Sequence, residues 1–394
     1  MTTLLRFVAL YALMYGAFGV SSPFMPAFFA ERGLTAGELG FLFGAGTAIR
    51  LVSGPLCGRL ADLTGALRGV FAVCALLAAA VALSLLAGAG FPTLLAISLL
   101  HAAALAPITT LGDALTLRAA AESRDGARFE YGWVRGTGSG VFILGTLLSG
   151  QVVGAWGLGS ILSLHAAQLA LAAGTVLLVP APVPLPTAAG PTVPPRAHDV
   201  RFLLGIPEFR RVLAVSTLVL GSHAMHDTFA VIRWTGAGIT PPTVSVLWSE
   251  SVAAEVVVFF LVGPALIARL GARGVMALAA TAGLVRWVVV GSTTAAAALA
   301  VVQPLHGLTF AALHLACMRV IGATVPPGLA ATAQATYAVG AAGASAALTL
   351  ASGALYARLG PQAFFVMALL CALAIPLAVS PHRSPRIRDR ESRV

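Results

Sequence analysis

The sequence predicts an all-α membrane protein with twelve transmembrane helices arranged as two six-helix bundles. Three observations lead to this prediction. Of the 394 residues, 58% are hydrophobic and 10% are charged, whereas a soluble domain carries about 25% charged residues. The apolar residues fall into twelve stretches, each long enough for a span, which needs about 20 residues. A proline-rich connection then separates six stretches from the other six.

The twelve spans are delimited by glycines, prolines and charged residues between the apolar stretches. The weakest separation is between the ninth and tenth spans, where only the polar residues 291–294 intervene. The predicted spans are residues 4–30, 36–58, 69–89, 93–117, 132–154, 158–180, 209–234, 243–267, 274–292, 295–322, 329–356 and 361–380.

The connection between the sixth and seventh spans runs from Pro180 to Pro207 and contains six further prolines. Proline removes a helix hydrogen bond, so we expect a semi-rigid linker there and no helix. The predicted domains are a bundle over 1–180, a cytoplasmic linker over 181–207, a second bundle over 208–380 and a basic, disordered tail over 381–394.

The arginines predict the orientation, because cytoplasmic loops of membrane proteins are enriched in basic residues. All 24 basic residues are arginines, and a cytoplasmic N-terminus puts 19 of them, including Arg135 and Arg319, on the cytoplasmic side. Three fall outside and two, Arg50 and Arg286, fall within spans. We therefore expect a protein of the bacterial inner membrane with both termini cytoplasmic. The arginines are scattered, which argues against nucleic acid as a partner.

Two matches in register indicate an internal duplication. Residues 61–70, ADLTGALRGV, follow the second span, and residues 267–275, IARLGARGV, follow the eighth. Gly150 and Gly157 close the fifth span as Gly353 and Gly360 close the eleventh. Repeated bundles of six helices, with a binding site between them, are typical of transporters that rock one bundle against the other.

The segment from Gly58 to Arg68, GRLADLTGALR, resembles the signature of the major facilitator superfamily between the second and third helices. In that family the glycines Gly58 and Gly65 let helix ends approach closely, and Asp62 with Arg68 would form a charged latch on the cytoplasmic side. The second copy has lost its acid, because Ala268 stands where Asp62 maps. The resemblance covers all twelve spans.

Within the superfamily, the sequence is most similar to the phenylpropionate-permease-like branch, which is related to the lactose-permease group. The resemblance implies proton-coupled import of a small organic solute, and an aromatic carboxylate is one candidate cargo. The resemblance to this branch is carried by several stretches of the sequence. They are residues 34–59, Asp113-Ala-Leu-Thr, Tyr131-Gly-Trp-Val-Arg-Gly-Thr-Gly-Ser, Ser222-His-Ala-Met-His-Asp-Thr-Phe, Leu247-Trp with Glu255, and Leu305-His-Gly-Leu-Thr-Phe-Ala-Ala-Leu-His.

Ionisable groups within spans are costly, and each is a hypothesis for a functional site. The second half concentrates them. The candidates for proton coupling are Glu255, Glu250, Arg286, His306, Asp227 and His226. Glu250 and Glu255 are five residues apart, so we expect them to face different neighbours. The lactose-permease group likewise has an acid on helix 8, an arginine on helix 9 and a histidine on helix 10.

Glu255, Arg286 and His306 have two interpretations of equal weight. In one, a glutamate takes up and releases a proton during transport while Arg286 and the histidines adjust its proton affinity. In the other, the same side chains form a satisfied polar network that holds the second bundle together. For His223 and His314, structural packing is favoured.

The first half offers candidates for substrate binding. Arg50 could bind a carboxylate with both of its terminal nitrogens, or it could be paired with Asp113, which is the slightly favoured alternative. Other polar side chains could line a cavity or simply pack. These candidates are Tyr11, Tyr15, His101 and Asp113 in the first half, together with Gln334 and Tyr337 in the second half.

The leading functional prediction is a proton symporter for a small solute, with proton-antiport efflux of drugs or metabolites as the alternative. A membrane-embedded enzyme is disfavoured because H-E-x-x-H is absent, and without lysine no nucleotide-binding P-loop is possible. A transporter-like sensor would need an added soluble domain. The four cysteines have no metal spacing, so we expect no metal and no cofactor. The expected partners are the substrate, protons and the lipid bilayer, and we expect a monomer.

Overall fold

The computed structural model describes residues 2–121, 129–180 and 197–380, and these residues are almost entirely helical. The helices are α1 Thr3–Ser21, α2 Met25–Glu31, α3 Ala36–Thr64, α4 Leu67–Ala87, α5 Phe91–Ala121, α6 Tyr131–Trp156, α7 Ser160–Leu178, α8 Ala197–Gly205, α9 Pro207–Gly221, α10 His223–Gly236, α11 Pro241–Val257, α12 Gly263–Ser292, α13 Ala296–Val302, α14 Leu313–Thr324, α15 Ala330–Leu359 and α16 Ala363–Val379.

Within the described ranges, nine helical segments are long and apolar enough to cross a membrane. Two of the nine, Pro241–Ser292 and Pro327–Val379, are 52 and 53 residues long, whereas a single span takes about 20. The all-helical class is therefore confirmed, and the count of twelve spans stays a prediction.

Several predicted spans are broken helices. The first span is two helices, α1 and α2, because Pro23 and Pro26 lie at their junction. The seventh is divided at Ser222 between α9 and α10. The eighth runs through a π-helix at Val258–Val262 directly before Pro264, and the tenth contains a 3₁₀ turn at Pro304 and a π-helix at Gly307–Ala312.

Helix α12 joins the predicted eighth and ninth spans. Its residue Gly271 has φ 67° and ψ 167°, so the chain turns there although hydrogen bonding continues on both sides. A residue with a side chain rarely adopts this left-handed conformation. Gly65, its counterpart in the sequence repeat, also has a positive φ of 64° and ends α3.

The prediction that the whole connection over 181–207 is non-helical is wrong at its C-terminal end. Helix α8 covers Ala197–Gly205, which follows the last proline of the run and contains none itself. Leu203 of α8 is fully buried against the second half. The predictions for residues 181–196 and for the tail over 381–394 lie outside the described residues, as do Arg124 and Arg128.

The two halves of the chain meet where α3 crosses α15 and where α6 crosses α11. At Gly40, an added Cβ would lie 2.6 Å from the Cα of Gly353, and at Gly150 it would clash with Ser245. These positions lie near the beginning of α3 and α11 and near the end of α6 and α15. All four helix ends lie on the side that the arginine distribution predicts to be outside.

Two of the arginines predicted to lie outside bind equivalent helix ends in the two halves. Arg32 follows α2 and donates to the carbonyls of Leu85, Leu86 and Gly88 at the end of α4. Arg233 in α10 donates to the carbonyls of Val290 and Gly291 near the end of α12. A cation at a helix C-terminus satisfies carbonyls that lack a partner and complements the helix dipole. The shared arrangement supports the duplication.

Gly40→Ala should destabilise the protein, because the added methyl group has no space between α3 and α15 and overpacking costs about 1–3 kcal/mol. We expect a lower midpoint of thermal unfolding in detergent. Gly37→Ala on the same helix is the matched control, because a Cβ added at Gly37 would meet no atom within 4 Å. A control that destabilises as much as Gly40→Ala would contradict this account of the crossing.

Candidate functional site

Arg286 is the centre of a buried polar cluster in the second half. It lies in α12 with 1% of its surface exposed. Its Nε and Nη2 atoms donate to Oε1 of Gln303 at 3.3 and 3.0 Å, and the guanidinium lies 4.6 Å from the ring centroid of Trp287. A buried charge is tolerated only when it is well bonded, and the contacts around Arg286 meet that need.

The arginine determines which nitrogen of His226 carries the proton. Arginine nitrogens can only donate, so Oε1 of Gln303 faces the guanidinium and Nε2 of Gln303 donates to Nε2 of His226 at 3.2 Å. Nη2 of Arg286 approaches the same histidine nitrogen at 3.5 Å. That nitrogen is therefore an acceptor, and Nδ1–H of His226 points to Oδ1 of Asp227 at 3.3 Å.

The same reasoning applies to His306 on the other side of the arginine. Nη1 of Arg286 donates to Nδ1 of His306 at 3.1 Å, so the proton of the neutral imidazole is on Nε2. That nitrogen lies 3.6 Å from Oε2 of Glu255 in α11. The contacts thus run from Asp227 through His226, Arg286 and His306 to Glu255, and we call this series the carboxylate–arginine chain.

The two ends of the carboxylate–arginine chain differ in environment. The side chain of Asp227 is 61% exposed, and that of Glu255 is 26% exposed. The middle is enclosed by indole rings, because His226 stacks on Trp248 with the planes at 22° and lies against Trp234 and Trp287. The middle of the chain is therefore held rigidly, and its carboxylates reach accessible space.

Two of the ionisable side chains considered from the sequence lie outside the chain of contacts. Glu250 is in α11, but its Oε2 is buried and has no hydrogen-bond partner among the described residues. His314 packs between the rings of Phe259 and Tyr337. His223 lies beside the chain, where it bonds the hydroxyl of Thr309 at 3.0 Å and faces His306.

In the first half, Asp113 is held by two tyrosines. Its Oδ1 accepts from the hydroxyl of Tyr11 at 2.5 Å and from that of Tyr131 at 3.0 Å. Tyr11 is fully buried and stacks on Tyr15. The slightly favoured pairing of Arg50 with Asp113 is not found among the described residues, and Oδ1 of Asp113 bonds the two tyrosine hydroxyls instead.

Arg50 has an exposed side chain and forms no hydrogen bond or ion pair with any residue that the structure describes. It lies one turn after Gly46, whose position faces Ala102 of α5, and its charge acts on the neighbouring His101. Nε2 of His101 contacts Nε2 of His165 at 3.1 Å, and Nδ1 of His165 bonds the carbonyl of Ala17 at 2.8 Å. This histidine pair ties α1, α5 and α7 together.

Arg135 was not among the candidates for substrate binding that the sequence predicted. It lies in the first turns of α6, with its guanidinium 4.7 Å from the ring centroid of Tyr15. Its Nη1 is buried and has no hydrogen-bond partner in the described part of the chain. Arg135 lies on α6, which crosses α11, the helix of Glu255, at the boundary between the halves.

The remaining sequence candidates are dispersed. Gln334 is exposed and Tyr337 is buried on α15. In the latch, Oδ1 of Asp62 pairs with Arg118 of α5 at 3.5 Å, whereas Arg68 donates to the carbonyls of Leu177 and Val179 at the end of α7. Asp62 and Arg68 therefore fasten different helices and form no ion pair with each other. Gly58 and Gly65 have open space at the Cβ position.

Sequence reasoning missed several residues that build the site. Gln303 and His165 are buried and bond other candidates directly. The signal for His165 was its ionisable ring inside an apolar span, while a single glutamine next to Pro304 gave none.

The chain matches known transporters. The sequence profile of the MFS_1 like family matches residues 4–367. A probable 3-phenylpropionic acid transporter of Escherichia coli (strain K12) is 33% identical over 380 residues, which is 94% of this chain and 96% of the relative. The crystal structure of the nucleoside transporter NupG superposes with a TM-score of 0.83 at 17% identity, over 96% of this chain and 98% of that one.

A second solved structure, of a bacterial homolog of the human lysosomal transporter Spinster, superposes with a TM-score of 0.71 at 14% identity, over 95% of both chains. This chain therefore belongs to the MFS_1 like family and is an integral membrane transporter of the major facilitator type. The family resemblance drawn from the sequence is confirmed.

Gln303→Leu should strongly destabilise the second half, because the buried guanidinium of Arg286 loses both bonds to Oε1 and a hydrogen bond to a charged group contributes about 1.5–3 kcal/mol. We expect a fall of several degrees in the midpoint of thermal unfolding. Gln168→Leu is the control, since Oε1 of Gln168 is buried without a partner among the described residues. Similar losses in both variants would argue against a special role for the Arg286 contact.

Proposed function

We propose, because this chain belongs to the MFS_1 like family, that it imports a small aromatic carboxylate together with protons by alternating access. The observation that carries the proposal is the carboxylate–arginine chain, in which a buried guanidinium connects two carboxylates through two neutral histidines. A charged group in a membrane helix is expensive to maintain, which favours a functional role over a merely structural one.

The cargo class is inferred from two facts. The relative that is 33% identical is a probable 3-phenylpropionic acid transporter, and its cargo is an aromatic carboxylate. In this chain, Arg135 has a buried nitrogen without a partner among the described residues and lies on the face of Tyr15. A guanidinium beside an aromatic ring offers a carboxylate two donors and the phenyl group an apolar contact. Arg50 is a second unpaired cation in the same half.

The proposed coupling involves Arg135 on α6 and Glu255 on α11, which belong to different halves and to helices that cross. When Glu255 is ionised, it competes with an anionic cargo for the field of Arg135 and repels the cargo. A proton on Glu255 removes that repulsion, so the carboxylate and the proton bind together. Nε2–H of His306 faces Glu255 and is positioned to stabilise the ionised form once the proton has left.

Alternating access is supported by the position of the contacts between the halves. The close glycine contacts of Gly40 with Gly353 and of Gly150 with Ser245 lie at one end of the molecule, the end predicted to be outside. Opening these contacts while the opposite ends close would expose a central site to the other side. The broken helices at Gly271 and at the π-helix Gly307–Ala312 provide points where the helices can bend.

The remaining parts of the proposal are the membrane, the orientation and the assembly. We assign the protein to the bacterial inner membrane with both termini cytoplasmic, in line with the excess of arginines on that side. Twelve spans are obtained when α12 is divided at Gly271 and the broken helices are joined. The monomer is the expected transporting unit, because both halves of one chain contribute to the site.

Proton antiport is the alternative that shares this fold, and the sign of proton movement separates it from symport. In symport, adding cargo outside vesicles makes the exterior more alkaline, because protons enter with the cargo. In antiport, cargo entry releases protons to the exterior. A sensor or a membrane-embedded enzyme would produce no cargo accumulation in either direction.

Glu255→Gln should abolish proton movement driven by 3-phenylpropionate, because an amide cannot take up the proton. The measurement is external pH in vesicles of inward-transporting orientation, with Glu130→Gln as the control, since Glu130 is exposed at the start of α6. Coupling that persists in Glu255→Gln would return the carboxylate–arginine chain to a purely structural role.

Arg135→Gln should raise the KM for 3-phenylpropionate by about tenfold or more, since a bond to a charged group contributes roughly 1.5–3 kcal/mol. The rate at saturating cargo should change less. Binding of the uncharged amide analogue should not weaken, because it cannot use the charge. Arg59→Gln, an exposed arginine near the end of α3, is the control. An equal loss for acid and amide would contradict recognition of the carboxylate.

A further inference from the structure

A cavity lies away from the carboxylate–arginine chain, at the end of the second half that is predicted to be cytoplasmic. Its volume is about 1040 Å³. It is lined by the start of α12 and the end of α14. The walls are mostly apolar, with Pro264, Ile267, Leu270 and Leu315 among them, and Arg319 lies at its polar end.

The first half has an ion pair at the position that corresponds to this cavity. There, Asp62 near the end of α3 pairs with Arg118 near the end of α5. In the sequence repeat, Ala268 stands where Asp62 maps, and Arg319 lies on α14, the helix of the second half that corresponds to α5. Both Ala268 and Arg319 line the cavity. The second half therefore has a cation on the corresponding helix but lacks the carboxylate.

Arg319 is exposed and has no ion pair or hydrogen bond with any residue in the described ranges. The acid in the cavity wall, Glu208, does not compensate it, because its two oxygens bind Arg273 at 2.6 Å and Arg211 at 2.7 Å. Arg319 is therefore a cation in the cavity wall that has no carboxylate partner among the described residues.

The apolar walls indicate what kind of anion fits. Leu270 in the wall is 50% exposed, and Phe260 and Leu261 on the preceding π-helix are 68% and 73% exposed. In a membrane protein, large apolar side chains with this exposure face acyl chains. A small soluble anion would leave the apolar part of the cavity unfilled, whereas a phospholipid fills both parts.

We propose that this cavity binds one anionic phospholipid, with its phosphate on Arg319 in the place of the missing carboxylate and an acyl chain along Leu270 and Leu315. Arginine binds phosphate oxygens with two parallel donors, and basic pockets between membrane helices suit lipid headgroups. The lipid would join α12 to α14 as the ion pair joins α3 to α5 in the first half.

The test is native mass spectrometry of the delipidated full chain titrated with anionic phosphatidylglycerol, with zwitterionic phosphatidylcholine, whose headgroup has no net charge, as the comparison. We expect one high-affinity site for phosphatidylglycerol. Arg319→Gln should weaken it about tenfold or more. Ala268→Asp should weaken it as well, because the new carboxylate supplies the partner that the first half has. Arg269→Gln is the control, as Arg269 is exposed on the same helix outside the cavity.

Three results would overturn the proposal. Unchanged binding in both Arg319→Gln and Ala268→Asp would exclude the cavity as the site. An equal loss in Arg269→Gln would show attraction to the basic surface in general. Displacement of the lipid by millimolar inorganic phosphate would show that a soluble anion, and not a lipid, is the ligand of Arg319.

Discussion

The permanent charge of Arg286 is the constraint on which the second half depends. An arginine remains protonated in proteins, so this buried side chain must be surrounded by acceptors on every side. Gln303, His226 and His306 supply them from α10 and from the segment between α13 and α14. Because these acceptors are fixed by one donor group, both histidines are neutral and each has one defined tautomer. A rigid polar core with a carboxylate at each end is the consequence.

The two halves share a frame and differ in their chemistry. Arg32 and Arg233 fasten equivalent helix ends, and Gly65 and Gly271 both turn the chain with a positive φ. Inside this frame the first half has Asp113 held by tyrosine hydroxyls and an unsatisfied Arg135, whereas the second half has the carboxylate–arginine chain. In the proposed mechanism, the positive charge for the cargo and the exchangeable protons therefore lie on opposite sides of the boundary between the halves.

Hydropathy predicted the helical class and most helix positions, because burial in lipid demands long apolar stretches whatever their neighbours. It could not predict α8, since a short amphipathic helix after a proline run lacks that signal. The cluster around Arg286 was anticipated because charged residues in spans are conspicuous. The role of Gln303 was not, because an amide becomes essential only through the group that it faces. The pairing of Arg50 with Asp113 was expected but is not found, for the same reason. Oδ1 of Asp113 bonds two tyrosine hydroxyls, and spacing along the chain does not reveal these contacts.

The contacts of Arg32 and Arg233 with helix ends also limit the order in which each half can assemble. Arg32 precedes the carbonyl of Leu86 by 54 residues, and Arg233 precedes that of Gly291 by 58. During synthesis each arginine leaves the ribosome well before its acceptors exist. In the predicted orientation, each arginine reaches the far surface of the membrane before the third helix of its half has been inserted. The contacts of each arginine can therefore form only after that third helix is in place.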